Sequence, residues 1–277
     1  MTTRRKFIKN TSITAAAVTL SAPNFLHAEA NADLRISCQQ YPWFTFFKRE
    51  GKEWSKDLGY SMSEYAKVGF DGFEPSFETP EEVDQLSPLL RKHQLSSKSL
   101  YVNSVLHDPA QTEQSIAAVM AIASVAKKLG VEILVTNPSP ISWGGEEDKT
   151  DQQIMIQAKA LDDLGRQLRE IGVTLAYHNH DAEMRNSARE FHHMMMATEP
   201  SHVSLCLDAH WIYRGSGNSQ VALFDIVEQY KQRIVELHLR QSRGGIWTEE
   251  FAEGDIDYPR LVKILKEGQI RPHIVLE

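Results

Sequence analysis

Three short stretches of this sequence carry residue types that can do chemistry, at spacings that let them do it together. Leu175-Ala176-Tyr177-His178-Asn179-His180-Asp181 reads as a strand entering a turn. Side chains on a strand alternate faces, so His178 and His180 point the same way. Leu205-Cys206-Leu207-Asp208-Ala209-His210 does the same for Asp208 and His210, and Val235-Glu236-Leu237-His238-Leu239-Arg240 for His238 and Arg240. Three strands thus end in two polar residues on one face. The lower layer is His178, Asp208 and His238; the upper layer is His180, His210 and Arg240. The pattern predicts a divalent-metal site with a polar substrate pocket above it.

The elements that must position these residues are legible as apolar runs alternating with helical patterns. Strands are predicted over 34–41, 72–75, 97–102, 131–136, 174–178, 203–208, 234–239 and 273–276, with helices over 61–68, 80–93, 112–129, 151–171, 188–197, 219–230 and 258–266. Eight strands separated by helices argue for an α/β chain folded as a (β/α)8 TIM barrel, which either lacks the customary last helix or continues into one past Glu277. A doubly wound sheet is the alternative, but its nucleotide-binding fingerprints, G-x-G-x-x-G and G-x-x-x-x-G-K-S/T, are absent. In such barrels functional residues sit at the C-terminal strand ends. Strands five to eight then supply His178, Asp208, His238 and Glu277 as metal ligands. Two imidazoles and two carboxylates suit Mn²⁺ or Zn²⁺, and also Co²⁺ or Fe²⁺, better than Ca²⁺. Four protein ligands leave a metal of higher coordination room for two substrate oxygens. His180 and His178 remain interchangeable at this level, and His210 is open as a supporting partner of a ligand.

Other strand ends complete the pocket. Glu74, closing strand two in Gly-Phe-Glu-Pro, is read as a substrate ligand or base, with a rim salt bridge as the plain alternative. Arg240 would hold a substrate oxyanion. Asn103 and Asn137 close strands three and four and would bind hydroxyls. Aromatic residues crowd the intervening loops, and Trp43 and Trp211 are expected to present apolar faces to a sugar ring. Glu236, two residues below His238, reads as half of a buried pair. His192, His193 and Met194 to Met196 lie on a helix and read as ordinary packing.

The first thirty residues stand apart. Thr3-Arg4-Arg5-Lys6-Phe7-Ile8-Lys9 resembles a twin-arginine motif, followed by an uncharged Ala/Thr-rich stretch and an Ala28-Glu29-Ala30 cleavage site. Residues 1–30 are therefore expected to be an export signal handled by the twin-arginine translocation machinery, and residues 31–277 a barrel domain working in the periplasm or outside the cell. The apolar stretch is too short for a membrane span, so no stable membrane anchor is expected. The formal net charge of −7, with no block of like charge, gives nucleic acid no footing as a partner. Cys38 and Cys206 sit in separate apolar runs and read as free buried thiols. An oligomer is left open.

At Tyr177-His178-Asn179-His180-Asp181, Leu207-Asp208-Ala209-His210-Trp211, Leu237-His238-Leu239-Arg240, Gly254-Asp255-Ile256-Asp257-Tyr258 and the terminal Ile-Val-Leu-Glu, the chain resembles the xylose isomerase-like TIM barrel superfamily, the sugar phosphate isomerase/epimerase group. The resemblance implies a Mn²⁺- or Zn²⁺-type site on strands five to eight and a metal-bound carboxylate, here Glu277, that doubles as a proton carrier. Sugar epimerases of the group carry a glutamate on strand five. This chain has His178 there, which resembles the inosose dehydratase and keto-glycoside-cleaving branches. The expected activity is that of a metal-dependent isomerase/epimerase acting on a sugar or keto-sugar: proton abstraction α to the carbonyl, with His180 or His210 as base, and an enediolate stabilised by the metal. The alternative is a keto-sugar lyase or dehydratase using the same site. A non-catalytic secreted sugar-binding protein is a further alternative. The endonuclease activity of the superfamily would need a basic groove, against the acidic balance.

Overall fold

The computed structural model describes residues 35–277, so the export signal read at residues 1–30 lies outside the described residues. Parallel strands need a long crossover, and a helix supplies each one. In chain order the elements are β1 (Ile36–Gln39), α1 (Tyr41–Arg49), α2 (Leu58–Ala66), β2 (Gly72–Glu74), α3 (Pro80–Lys92), β3 (Ser99–Tyr101), α4 (Pro109–Ala126), β4 (Ile133–Thr136), α5 (Asp151–Glu170), β5 (Thr174–His178), α6 (Arg185–Ala197), β6 (Val203–Asp208), α7 (Ala209–Gly215), α8 (Gln220–Tyr230), β7 (Ile234–Leu239), β8 (Ser242–Arg243), β9 (Ile246–Trp247), α9 (Tyr258–Glu267) and β10 (His273–Leu276).

Eight of these strands form one sheet in the order β2-β1-β10-β7-β6-β5-β4-β3. Its two ends meet. Phe73 N donates to Ser96 O at 2.8 Å, Tyr101 N to Pro75 O at 2.8 Å and Phe77 N to Tyr101 O at 3.0 Å. The fold is therefore the expected (β/α)8 barrel, nearly closed. β8 and β9 stand outside it as an antiparallel hairpin after β7. Among the described residues no helix is long and apolar enough to cross a membrane.

Strand alternation sorts the core. Leu175, Tyr177, Leu205, Leu207 and Leu237 point outward into the helix layer, each worth about 1.5–3 kcal/mol when fully buried. Tyr101, Ile133, Val135, Ala176 and Cys206 form a second, smaller cluster. The alternation of Ala176 with Leu175 and Tyr177 places that cluster inside the barrel. Both cysteines are free and buried.

The stretch after β1 departs from expectation. Tyr41 to Phe44, read as loop, belong to helix α1, with Pro42 in the first turn where its fixed φ suits a helix start. The helix turns Trp43 inward, 5.0 Å from the Tyr65 ring and 5.9 Å from Trp54 by centroids. Trp43 is thus core rather than pocket wall. Helix α5 begins at Asp151 as expected, capped by Thr150, whose side chain accepts from Gln153 N.

Candidate active site and metal centre

His178, Asp208, His238 and Glu277 converge inside the barrel mouth with one donor atom each, all within 4.8 Å of one another. The ladders explain the convergence. Asp208 is level with His238 between β6 and β7, and Val275 of β10 is also level with His238, which puts Glu277 just above. Asp208 caps α7: its Oδ1 accepts from Trp211 N at 2.8 Å, leaving Oδ2 buried without a hydrogen-bond partner. Both ring nitrogens of His178 are likewise buried and unpartnered. His178 Nε2 lies 3.7 Å from Asp208 Oδ2 and 3.9 Å from Glu277 Oε2, too far for a hydrogen bond but apt for two ligands of one cation. Leaving such atoms unmade costs about 1–3 kcal/mol each, more when charged. A divalent cation between them removes that cost, and the two-nitrogen, two-oxygen donor set fits one.

Beneath the quartet lies a carboxylate floor. His238 Nε2 is 3.0 Å from Glu74 Oε1 and 3.3 Å from Glu236 Oε1, while Nδ1 faces Glu277 Oε2 at 3.2 Å. A proton held on Nε2 by Glu74 leaves Nδ1 as the donor toward a metal, the usual way a carboxylate orients a ligating imidazole. Glu74 is fully buried and also accepts from Gln39 Nε2 at 3.3 Å and Ser99 Oγ at 2.5 Å. The expectation that Glu74 touches substrate is therefore corrected: it sits below His238. Glu236 forms the buried pair expected of it.

The electrostatics follow from burial among few charges. Burial, with Glu277 nearby, pushes Asp208 up to about 7. Burial and the adjacent Glu74 push Glu236 up to about 8. Burial opposes charge on Glu74 as well, but His238 and the hydrogen bonds to it hold it at about 2. The same opposition at Glu277 is overcome by His238, which takes its carboxyl well below the usual range. Burial also works against a proton on His238, yet Cys206 and Glu74 raise it well above the ordinary imidazole value. For His178 burial wins, with His238 adding to it, and the ring falls to about 3.

The upper layer holds two further neutral imidazoles. His180 rests 4.8 Å above His178 by ring centroids, between Trp143 at 5.3 Å and Trp211 at 5.6 Å. Burial and His178 lower it to about 4. His210 stacks on Trp247 at 3.7 Å and 27°, and burial with Arg240 and Arg214 lowers it to about 4 as well. Arg240 reaches Glu277 Oε1 at 3.4 Å. Trp211 thus lines this layer beside His180.

The two asparagines part company. Asn103 is exposed just past β3. Asn137 is fully buried, and its Nδ2 donates to His178 O at 2.9 Å and Glu183 Oε1 at 3.1 Å, so it braces β5. Glu183 also accepts from His180 N at 2.7 Å. Asn179 laces β5 to β6 through both backbone groups of Asp208, at 3.0 and 3.2 Å. Tyr101 is another wall residue, its ring 5.5 Å from His178. The same period-two spacing that flagged Asn103 flags Tyr101 two residues below; Glu183, in a turn, carries no such signal.

Comparison with known proteins agrees with this architecture. Residues 62–277 match the family described as Xylose isomerase-like TIM barrel. The inosose dehydratase of Clostridium beijerinckii is 25% identical, over 78% of this chain and 80% of its own length. That of Mesomycoplasma hyopneumoniae is 24% identical over 78% and 79%. Among solved structures, the 3-keto-D-glucoside 4-epimerase YcjR from E. coli superposes with a TM-score of 0.64 at 13% identity, covering 88% of this chain and 91% of its own. A Xylose isomerase-like TIM barrel protein from Mycobacterium smegmatis, in complex with magnesium, gives 0.69 at 12% over 88% and 90%. These structural likenesses concern the fold. With its family match spanning most of the barrel, this chain belongs to the Xylose isomerase-like TIM barrel family.

Proposed function

We propose that this chain is a divalent-metal-dependent enzyme that removes the proton next to the ketone of a hydroxylated ring and then expels a β-substituent. The observation that carries the reading is the facing pair of buried, unpartnered donors, His178 Nε2 and Asp208 Oδ2, beneath two neutral imidazoles. His178, Asp208, His238 and Glu277 would hold the cation, whose Lewis acidity stabilises negative charge growing on the ketone oxygen. His180, closest above the quartet, takes the α-proton as the C–H bond breaks. The electron pair closes the double bond as the β C–O bond breaks, and the departing oxygen takes the proton from the imidazole. Arg240 lies beside Glu277 where it can hold a substrate oxygen. Strand five offers an imidazole where an epimerase of this group has a carboxylate, and inosose dehydratases are among the sequence relatives.

A second reading, isomerase or epimerase, is favoured by the two neutral imidazoles, each two residues past the end of one of the neighbouring strands β5 and β6. His210 could return the proton to another carbon or face. Incubation of Mn²⁺-loaded protein with inososes, ketoses and keto-glycosides in D₂O, followed by NMR, separates the two. Loss of water or an alcohol with an enone product supports elimination; deuterium in an isomer supports the second reading. Neither change in any substrate, with metal bound, would leave a binding protein.

A further inference from the structure

Two sequence features are not used by the chemistry above: the Gly-rich Arg243-Gly244-Gly245 turn and the Gly254-Asp255 segment. The structure joins them. The turn between β8 and β9 has Gly244 at φ +60° and Gly245 at φ +76°, the pair of left-handed conformations that a tight two-residue hairpin demands. Both backbone N–H groups point at one carboxylate: Asp255 Oδ1 accepts from Gly244 N and Oδ2 from Gly245 N, each at 2.8 Å. Ser242 Oγ donates to the same Oδ2 at 2.6 Å. Gly254 passes so close that an added Cβ would lie 2.3 Å from Ser242 O. Asp255 N donates to Ser242 O at 2.7 Å and Arg243 Nη2 to Glu253 O at 2.9 Å, but the turn itself is held by the Asp255 carboxylate.

What the hairpin carries is Trp247. One neighbour of its indole is the His210 ring, stacked at 3.7 Å and 27°. Another is the Arg240 guanidinium, 3.4 Å from the indole centroid, with Arg214 at 5.1 Å. His210 is buried, and neither ring nitrogen has a hydrogen-bond partner. A working imidazole is usually oriented by a hydrogen bond on one nitrogen. Among the described residues none supplies that bond to His210, and the stacked indole is the contact that orients the ring.

We propose that Trp247 is the positioning residue for His210 and Arg240, and that Asp255 sets Trp247 in place by clamping the Gly244-Gly245 turn. The assignment deepens the functional reading above, because it gives His210 and Arg240 their geometry, but its test does not depend on turnover. His210 should show ring-proton NMR signals shifted by the indole ring current in ¹³C-histidine-labelled protein, identified by their loss in His210→Asn. Trp247→Leu and Asp255→Ala should both abolish that shift, while Trp247→Phe should keep a reduced one. On whichever substrate the wild type turns over, Trp247→Leu should lower kcat at least tenfold with a smaller change in KM, and Trp247→Phe should recover most of it. An unchanged His210 shift in Asp255→Ala would overturn the clamp, and an unchanged shift in Trp247→Leu would overturn the stack. Wild-type protein that turns over nothing would sink the functional reading and leave the NMR result to decide this one.

Discussion

Asp208 both caps α7 and offers a metal ligand, and burial disfavours its charged form when metal is withheld. Its folded-state value of about 7 lies above the ordinary 3.8. A group raised on folding contributes stability below its unfolded value and loses it as pH rises through the folded one. Metal-stripped protein is therefore expected to lose stability between about pH 4 and pH 7 on account of Asp208. Asp208→Asn should stabilise the stripped protein at pH 8, on the order of 2 kcal/mol, and remove the gain in Tm that Mn²⁺ gives the wild type. Thermal melts at pH 5 and pH 8, with chelator or with Mn²⁺, check both. Glu74 acts one bond further away. Glu74→Gln should weaken metal binding roughly 10–100-fold through loss of the charge that orients His238, read by competition with a chromophoric chelator.

At the scale of elements, the strands that carry the quartet were legible because apolar and polar residues alternate cleanly to their last position. β5, β6, β7 and β10 fall on the expected 174–178, 203–208, 234–239 and 273–276. Helix α1 was not, because five aromatics in its first seven residues crowd every face of the turn, and Trp43 could be assigned inward only once Trp54 and Tyr65 were seen around it. The β8–β9 hairpin was equally hidden, since two-residue strands have no period to read. Helix α6 holds another surprise. Asn186, Ser187 and Ala188 sit at φ of 51°, 61° and 59°, left-handed positions that cost a side-chain-bearing residue about 1–2 kcal/mol each. Arg185 and Asn186 on Asp148, and Arg189 on Asp151, anchor this turn to the loop after β4. Ser187 is exposed. Ser187→Gly is expected to raise stability by about 1 kcal/mol, measured by urea denaturation.

For the whole molecule, purified protein should contain about one divalent transition metal per chain by elemental analysis. His238→Ala should lose it, while His192→Ala should keep it, since His192 is engaged with Tyr230 OH at 2.8 Å away from the quartet. The candidate quartet was readable from sequence because His178 and Asp208 close β5 and β6, while His238 and Glu277 lie within one residue of the ends of β7 and β10. The floor was not: whether Glu74 faces up or down depends on barrel stagger, which local alternation does not encode. We also propose that residues 1–30 direct export, so that replacing Arg4 and Arg5 by lysine should retain the chain in the cytoplasm in a fractionation assay.

The four donors arise from one contiguous arc of the ring, β5-β6-β7-β10, and the opposite arc, β3-β4 with β1 and β2, contributes walls, the support Glu74 and the brace Asn137. The barrel is thus divided between inheritance and novelty. The stretch around Trp143, beyond the Asn137 brace, carries none of the four donors, so exchange there should alter what the rim meets while leaving them in place. A lineage built on this plan can change what it recognises on one side of the rim while the other side conserves how it reacts.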